Sequence, residues 1–288
     1  MVKLPLSIKH LLTLRKPNAN PSPSIERLHG VFTSTLREAT QHAAQDGWLV
    51  LATSTFLSAN IPSAVAHLYR YVSRRDPLSG SNVSLLPIAD RTAQASLMRE
   101  AALKSAIFVG VPRTILSLEA LHSALETDVK SSLRTVSHRE ANPENVEIFK
   151  DRGRKLWKDI YTPFDVKLAD KLGSYHPDFI SFIIQSYGSV LGPWYPGDPA
   201  YETRNLTRTL TSVVGVACLR TEGGVGPQLL SHVFGLLKAR ESDSYEGAPS
   251  TPGDKWLSSD EGTEWAIKTV DEFCDVGRGV DQEVKARL

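Results

Sequence analysis

Apolar residues that recur at helical spacing, in segments opened by Ser or Pro, constrain this chain more than any other feature. Ser24 precedes Ile25, Leu28, Phe32, Leu36, Ala39 and Ala43. That spacing draws one apolar stripe along a helix, and the Ser24 hydroxyl is placed to accept from a first-turn N–H that has no intrahelical partner. The stripe is expected to end at Asp46-Gly47. An apolar segment over 48–57 leads to Pro62, whose fixed φ suits the first turn of a helix over 63–71. Residues 74–87, rich in Pro, Ser and Gly, read as a loop. The next helix runs through Leu97, Leu103 and Ile107, stops near Gly110 and restarts after Pro112. Strictly alternating β-branched runs are nearly absent, so the expected fold is all-α.

The second half uses the same signals. Thr162-Pro163-Phe164-Asp165 reads as a capping box with Pro in the first turn, and Gly173 as the stop that follows. Pro177 opens a segment carrying Phe179, Phe182, Ile183 and Tyr187. Residues 192–201 form a Pro/Gly loop, 206–219 a buried helix, and Pro227 starts another. Residues 241–254 read as a polar loop, and Ser258 with Glu261 as the cap of a last helix through Trp265, Val270, Phe273 and Cys274. An internal repeat is also visible. Pro62-Ser-Ala-Val-Ala-His67-Leu68-Tyr69 parallels Pro227-Gln-Leu-Leu-Ser-His232-Val233-Phe234, each reading Pro, four residues, His, aliphatic, aromatic. The expected organisation is a basic arm and linker over 1–24, one helical copy over 26–145, a second over 150–276, and a tail over 277–288.

Composition excludes several function classes. The 288 residues carry a net charge of +1 and 41% hydrophobic residues, enough for a core and too balanced for a nucleic-acid or anionic-membrane footprint across the whole molecule. The 2 cysteines, Cys218 and Cys274, make neither a disulfide framework nor a zinc pattern. None of the 8 histidines forms a His-x-x-x-His or His-Glu pairing, so no metal site is expected. No apolar run is long enough to insert across a membrane. The glycines of Glu222-Gly223-Gly224-Val225-Gly226 follow no strand and precede no Lys-Ser/Thr, so they read as a tight turn between helices rather than a phosphate site.

Both ends suggest an address. Ala286-Arg287-Leu288, with Lys285 upstream, fits the small-basic-leucine pattern of a peroxisomal import signal, which implies an import receptor as partner and the peroxisomal matrix as location. Residues 1–25 lack any acid and carry Lys3, Lys9, Arg15 and Lys16 among leucines. That composition reads either as a mitochondrial presequence or as a short basic arm docked on the domain.

Arg152-Gly153, Leu156-Trp157, His176-Pro-Asp-Phe, Tyr187-Gly188, Arg208-Thr-Leu and Pro227-Gln-Leu-Leu-Ser-His232 fall in order, and Ala106-Ile-Phe-Val-Gly-Val-Pro112-Arg113 lies upstream. In these residues the chain resembles the carboxymuconolactone decarboxylase / alkylhydroperoxidase D-like superfamily, especially its longer fungal members. One ending in an import tripeptide resembles a type of fungal peroxisomal matrix protein. The resemblance implies tandem alkylhydroperoxidase D-like helical repeats and homo-oligomers. The superfamily's peroxidases place a Cys-x-x-Cys pair seven and four residues before the His. Here those positions are Val225 and Gln228, and in the first copy Asn60 and Ser63, so disulfide chemistry is excluded.

What remains is the non-redox branch: a cofactor-free decarboxylation or proton transfer on a small carboxylated, acyl-derived or lactone metabolite. Such chemistry needs a proton carrier and a cation or donor for the carboxylate. His232 is the candidate acid/base, or else a core histidine with its nitrogens satisfied by backbone. His67 is its counterpart in the first copy. Arg208 is the candidate carboxylate anchor, or else a surface ion pair, and Glu222 either orients His232 or is a solvated loop acid. His176 reads as a capping residue and Cys218 as a buried structural thiol. The competing class is a catalytically silent relative that binds a ligand or assembles with partners.

Overall fold

A computed structural model describes residues 3–15, 17–74, 84–194, 206–241 and 250–279. The expected import tripeptide Ala286-Arg287-Leu288 lies outside them, as do most of the loops expected over 74–87, 192–201 and 241–254. The chain order is α1 (Leu6–Thr13), α2 (Ile25–Gln41), α3 (Gln45–Ser58), α4 (Pro62–Val72), α5 (Ile88–Val109), α6 (Val111–Ala124) and α7 (Thr127–Ser132). Then come α8 (Val146–Tyr161), α9 (Asp165–Tyr175), α10 (Phe179–Ser186), a π turn (Tyr187–Leu191), α11 (Arg208–Glu222), α12 (Gly226–Lys238), α13 (Pro252–Leu257) and α14 (Asp260–Arg278). No β-strand occurs among the described residues; the β-pairing there is one isolated bridge, Arg74 to Leu85. The fold is all-α.

Helices α3 and α11 form the centre. Every residue from Gly47 to Ser58 and from Arg208 to Leu219 is buried, as expected of helices that are apolar or small all round. They pack on each other, with α5 and α14 against both. Each is followed by a Pro-opened helix carrying the histidine of its motif, α4 after α3 and α12 after α11. Phe32, Trp48, Phe56 and Phe273 meet edge-on or tilted at 5.2–6.5 Å between centroids, and the Trp48 indole donates to Thr35 Oγ1 at 2.8 Å. Such aromatic pairs add stabilisation beyond their buried area. A smaller cluster of Leu156, Trp157, Ile160, Tyr187 and Leu191 joins α8 to the π turn.

Several expected boundaries shift. The Ser24 cap forms, accepting from Arg27 N, but α2 ends at Gln41 and Asp46-Gly47 lies in the first turn of α3. Gly47 is there for close approach, since a Cβ on it would lie 2.2 Å from Leu257 Cδ1. The Thr162 box does not cap α9, whose N-cap is Phe164, and Gly173 is inside that helix, which reaches Tyr175. His176 is its C-cap, and its Nδ1 accepts from Asp178 N at 3.1 Å. Asp254 belongs to α13, where it closes a capping box with Thr251, and Ser259 rather than Ser258 caps α14. At α13 and α14 a neighbouring hydroxyl, Thr251 or Ser259, accepts from the first-turn N–H, while α3 and α9 start without a side-chain cap. Gly223 and Gly224 adopt φ of 67° and 69°, which makes the tight turn between α11 and α12.

Candidate active site

Seven elements line a cavity of about 410 Å³: α5, α8, α9, α10, the π turn, α11 and α12. Phe108, Trp157, Tyr161, Phe182 and Tyr187 supply much of the wall, and His232 reaches it from α12. Lys171 is the charged lining residue, and it is exposed at the mouth. A mostly apolar concavity with a few convergent polar groups is the usual form of a small-molecule site.

Two glycines seat His232. A Cβ on Gly215 of α11 would come within 2.7 Å of His232 Nδ1, so only glycine leaves room for the ring there. Gly235, one turn along α12, lets Ile160 of α8 close in, with 3.3 Å from its would-be Cβ to Ile160 Cγ2. The Nδ1 edge therefore abuts α11, and Nε2 lies on the opposite edge. Phe108 meets the ring edge-on at 5.1 Å and Tyr161 at 6.4 Å. His232 is 4% exposed. Burial pushes its pKa down to about 4, aided by the Arg208 charge, so the imidazole is neutral at physiological pH.

The Tyr161 and Tyr187 hydroxyls lie 3.0 Å apart at the same cavity. Burial raises both phenols above their ordinary pKa, most strongly for Tyr187, so both stay protonated. Tyr187 is held from behind. Lys104, 1% exposed, donates to the carbonyls of Val190 (3.3 Å), Leu191 and Gly192 (3.1 Å) as the π turn ends. Arg139 donates to Ser189 O at 2.9 Å and to Glu100, which lies 3.8 Å from Lys104. Cations on the last carbonyls of a helix satisfy acceptors that have no intrahelical donor. Burial, opposed by Glu100, pushes the Lys104 pKa down to about 7.

Of the residues expected at the site, His232 alone lines this cavity. Arg208 is buried behind it. Its guanidinium donates to Asp159 on α8, to Ser212 on α11 and to Gly235 O on α12 at 3.1 Å, a brace across three helices rather than a surface ion pair or a group facing the cavity. Glu222 pairs with Arg113 at 2.7 Å and lines a separate cleft with Asn20, Thr221 and Arg278, away from His232. His67 is half-buried on α4, its pKa lowered by burial and by Arg70. Comparisons with family profiles, curated proteins and solved structures return no match.

Tyr161 and Lys104 stand in no sequence motif, and Tyr187 stands out only in the segment opened by Pro177 and beside Gly188. A tyrosine pair twenty-six residues apart has no local signature. The usable signal was Gly153 and Gly188, which mark where α8 and the π turn touch.

Cys218 is fully buried and burial pushes its thiol up to about 11, which keeps it protonated and unreactive. A thiol reagent should therefore label Cys218 only after denaturation. Rapid labelling of Cys218 in the native protein, read by peptide mass spectrometry, would contradict that burial.

Proposed function

We propose that this protein is a cofactor-free, non-redox enzyme that moves a proton on a small lactone or carboxylated metabolite. The observation that carries the reading is a neutral, buried His232 at the wall of an apolar cavity that also holds two protonated tyrosine hydroxyls. A neutral imidazole is a base, not a proton donor of the imidazolium kind. It accepts a proton from the carbon next to a carbonyl, and the bond's electron pair moves onto the carbonyl oxygen, where a tyrosine O–H stabilises it. The proton then returns to carbon. In a decarboxylation the carbon–carboxylate bond breaks instead, its electron pair takes the same path, CO₂ leaves, and a tyrosine O–H gives its proton to the carbon and regains one from solvent after product leaves. Excluding water from such a site strengthens each of these interactions. A carboxylate on the ligand is better matched to Lys171 at the mouth than to Arg208, whose donors are engaged.

The same reading includes two degenerate helical copies, supported by the matching order of α3–α4 and α11–α12 and by the packing of α3 on α11. It includes peroxisomal import through Ala286-Arg287-Leu288. It also includes self-association, supported by the exposed Phe164, Val166, Phe179, Phe182, Leu230 and Phe234 of the α9, α10 and α12 region.

The test is turnover of a panel of carboxylated γ-lactones and their ring-opened keto acids, followed by NMR. His232→Ala should lower the rate roughly 100-fold or more while the circular dichroism spectrum is kept, and Tyr161→Phe should lower it by about 10-fold or more. A folded His232→Ala protein that turns over at the wild-type rate removes His232 from the mechanism.

A further inference from the structure

We propose that the N-terminal arm around α1 binds the surface of a lipid bilayer that carries anionic headgroups. No residue of α1 is buried against the rest of the protein. Leu4, Leu6, Ile8, Leu11, Leu12 and Leu14 are all exposed, from 43% at Ile8 to 83% at Leu6. The arm is nevertheless tied at a fixed point: Asn20 N donates to Asn60 O at 2.9 Å and Asn20 Nδ2 to Ala59 O at 2.7 Å, at the corner between α3 and α4. The leucines of the helix are exposed to solvent and not packed in the core.

An isolated helix of 8 residues is below the roughly 12–15 that hold together alone in water, so an environment that covers its apolar side would stabilise it. Ile8, Leu11 and Leu12 recur at i, i+3 and i+4 and share one face, with Lys9 beside it and His10 behind. Charge selects the occupant. Lys3 precedes the helix, Lys9 lies in it and Arg15 follows it, and the first acid in the sequence is Glu26. Cations so dispersed need no shaped acidic pocket and match a fluid anionic headgroup layer, while the leucines enter its acyl boundary. At about 1.5 Å per residue the helix is far shorter than a bilayer core, so it lies in the interface and does not cross it. Among the described residues no helix is long and apolar enough to span.

The test is co-sedimentation of the full chain with sucrose-loaded vesicles. One set is phosphatidylcholine alone and the other contains roughly one-third phosphatidylglycerol. Binding should be about 10-fold or more stronger to the anionic set and should fall as salt is raised. The double variants L11D/L12D and K9E/R15E, which touch nothing in the core, should each abolish it. The proposal is overturned by absence of binding, by equal binding to both sets, or by binding that survives both variants. It is also overturned if isolated mitochondria take up the full chain and cleave the arm, since the leucines and cations would then be an import signal.

Discussion

Gly188→Ala should destabilise the protein by about 3 kcal/mol, the upper end of what overpacking ordinarily does. A Cβ on Gly188 would sit 1.7 Å from Phe149 O and 2.6 Å from Phe149 C, and one on Gly153 would sit 2.0 Å from Ile184 O. These are backbone atoms. No rotamer change relieves them, so α8 and the π turn must part, and Trp157, Tyr187 and the cavity wall move with them. The thermal midpoint should fall by roughly 5–10 °C. Gly173→Ala is the matched control: nothing lies within 4 Å of its would-be Cβ and it is inside α9. It should be neutral or stabilise by up to about 1 kcal/mol, because alanine is the better helix former. Equal midpoints for the two variants would contradict the close crossing of α8 and the π turn.

Acid should destabilise the protein through His232. Its pKa is about 4 in the folded chain against 6.5 for the unperturbed side chain. Between those values the unfolded state binds the proton and the folded state does not, so stability falls as pH drops from about 6.5 to 4 and is unaffected above that window. The difference corresponds to about 3 kcal/mol when fully expressed. His232→Gln does not titrate, and in that variant the fall between pH 6.5 and 4 should be smaller by that amount. Denaturant melts of both proteins at pH 7 and pH 4.5 measure it. Parallel curves would mean that the histidine is already protonated, or solvated, in the folded state.

Much of the fold could be read from local chemistry, because a helix start is a local event. Ser24, Pro62 and Pro227 each satisfy or dispense with a first-turn N–H within a few residues, and each sits where spacing places it. Glycine was read less well. Gly47 and Gly173 look like stops in a string of letters, yet one is a contact point with Leu257 and the other an ordinary helical residue. Only tertiary packing distinguishes these uses. The site shows the same division. His232 stood out through its motif, but Arg208 is committed to Asp159 on another helix and Glu222 to Arg113, pairings that no spacing rule encodes. The Tyr161–Tyr187 pair needs α8 and the π turn to be brought side by side before it exists at all.

The two sides of the cavity differ in how firmly they are attached. Its inner side belongs to α5 and α12, which pack on the buried α11. The outer side is α9 and α10, a helical pair in which no residue is fully buried and whose inner faces rest on the small cluster around Trp157 and Tyr187. Ile184 of α10 is locked against Gly153 of α8, whereas releasing α9 exposes little of the central core, so the opening of α9 requires far less free energy than global unfolding. Amide exchange across 165–175 should accordingly be the fastest in the cavity wall, while α3 and α11 exchange only with the whole molecule. Entry of a ligand then depends on the frequency with which one wall detaches, and molecules wider than any static opening gain access without disturbing the imidazole they are to meet.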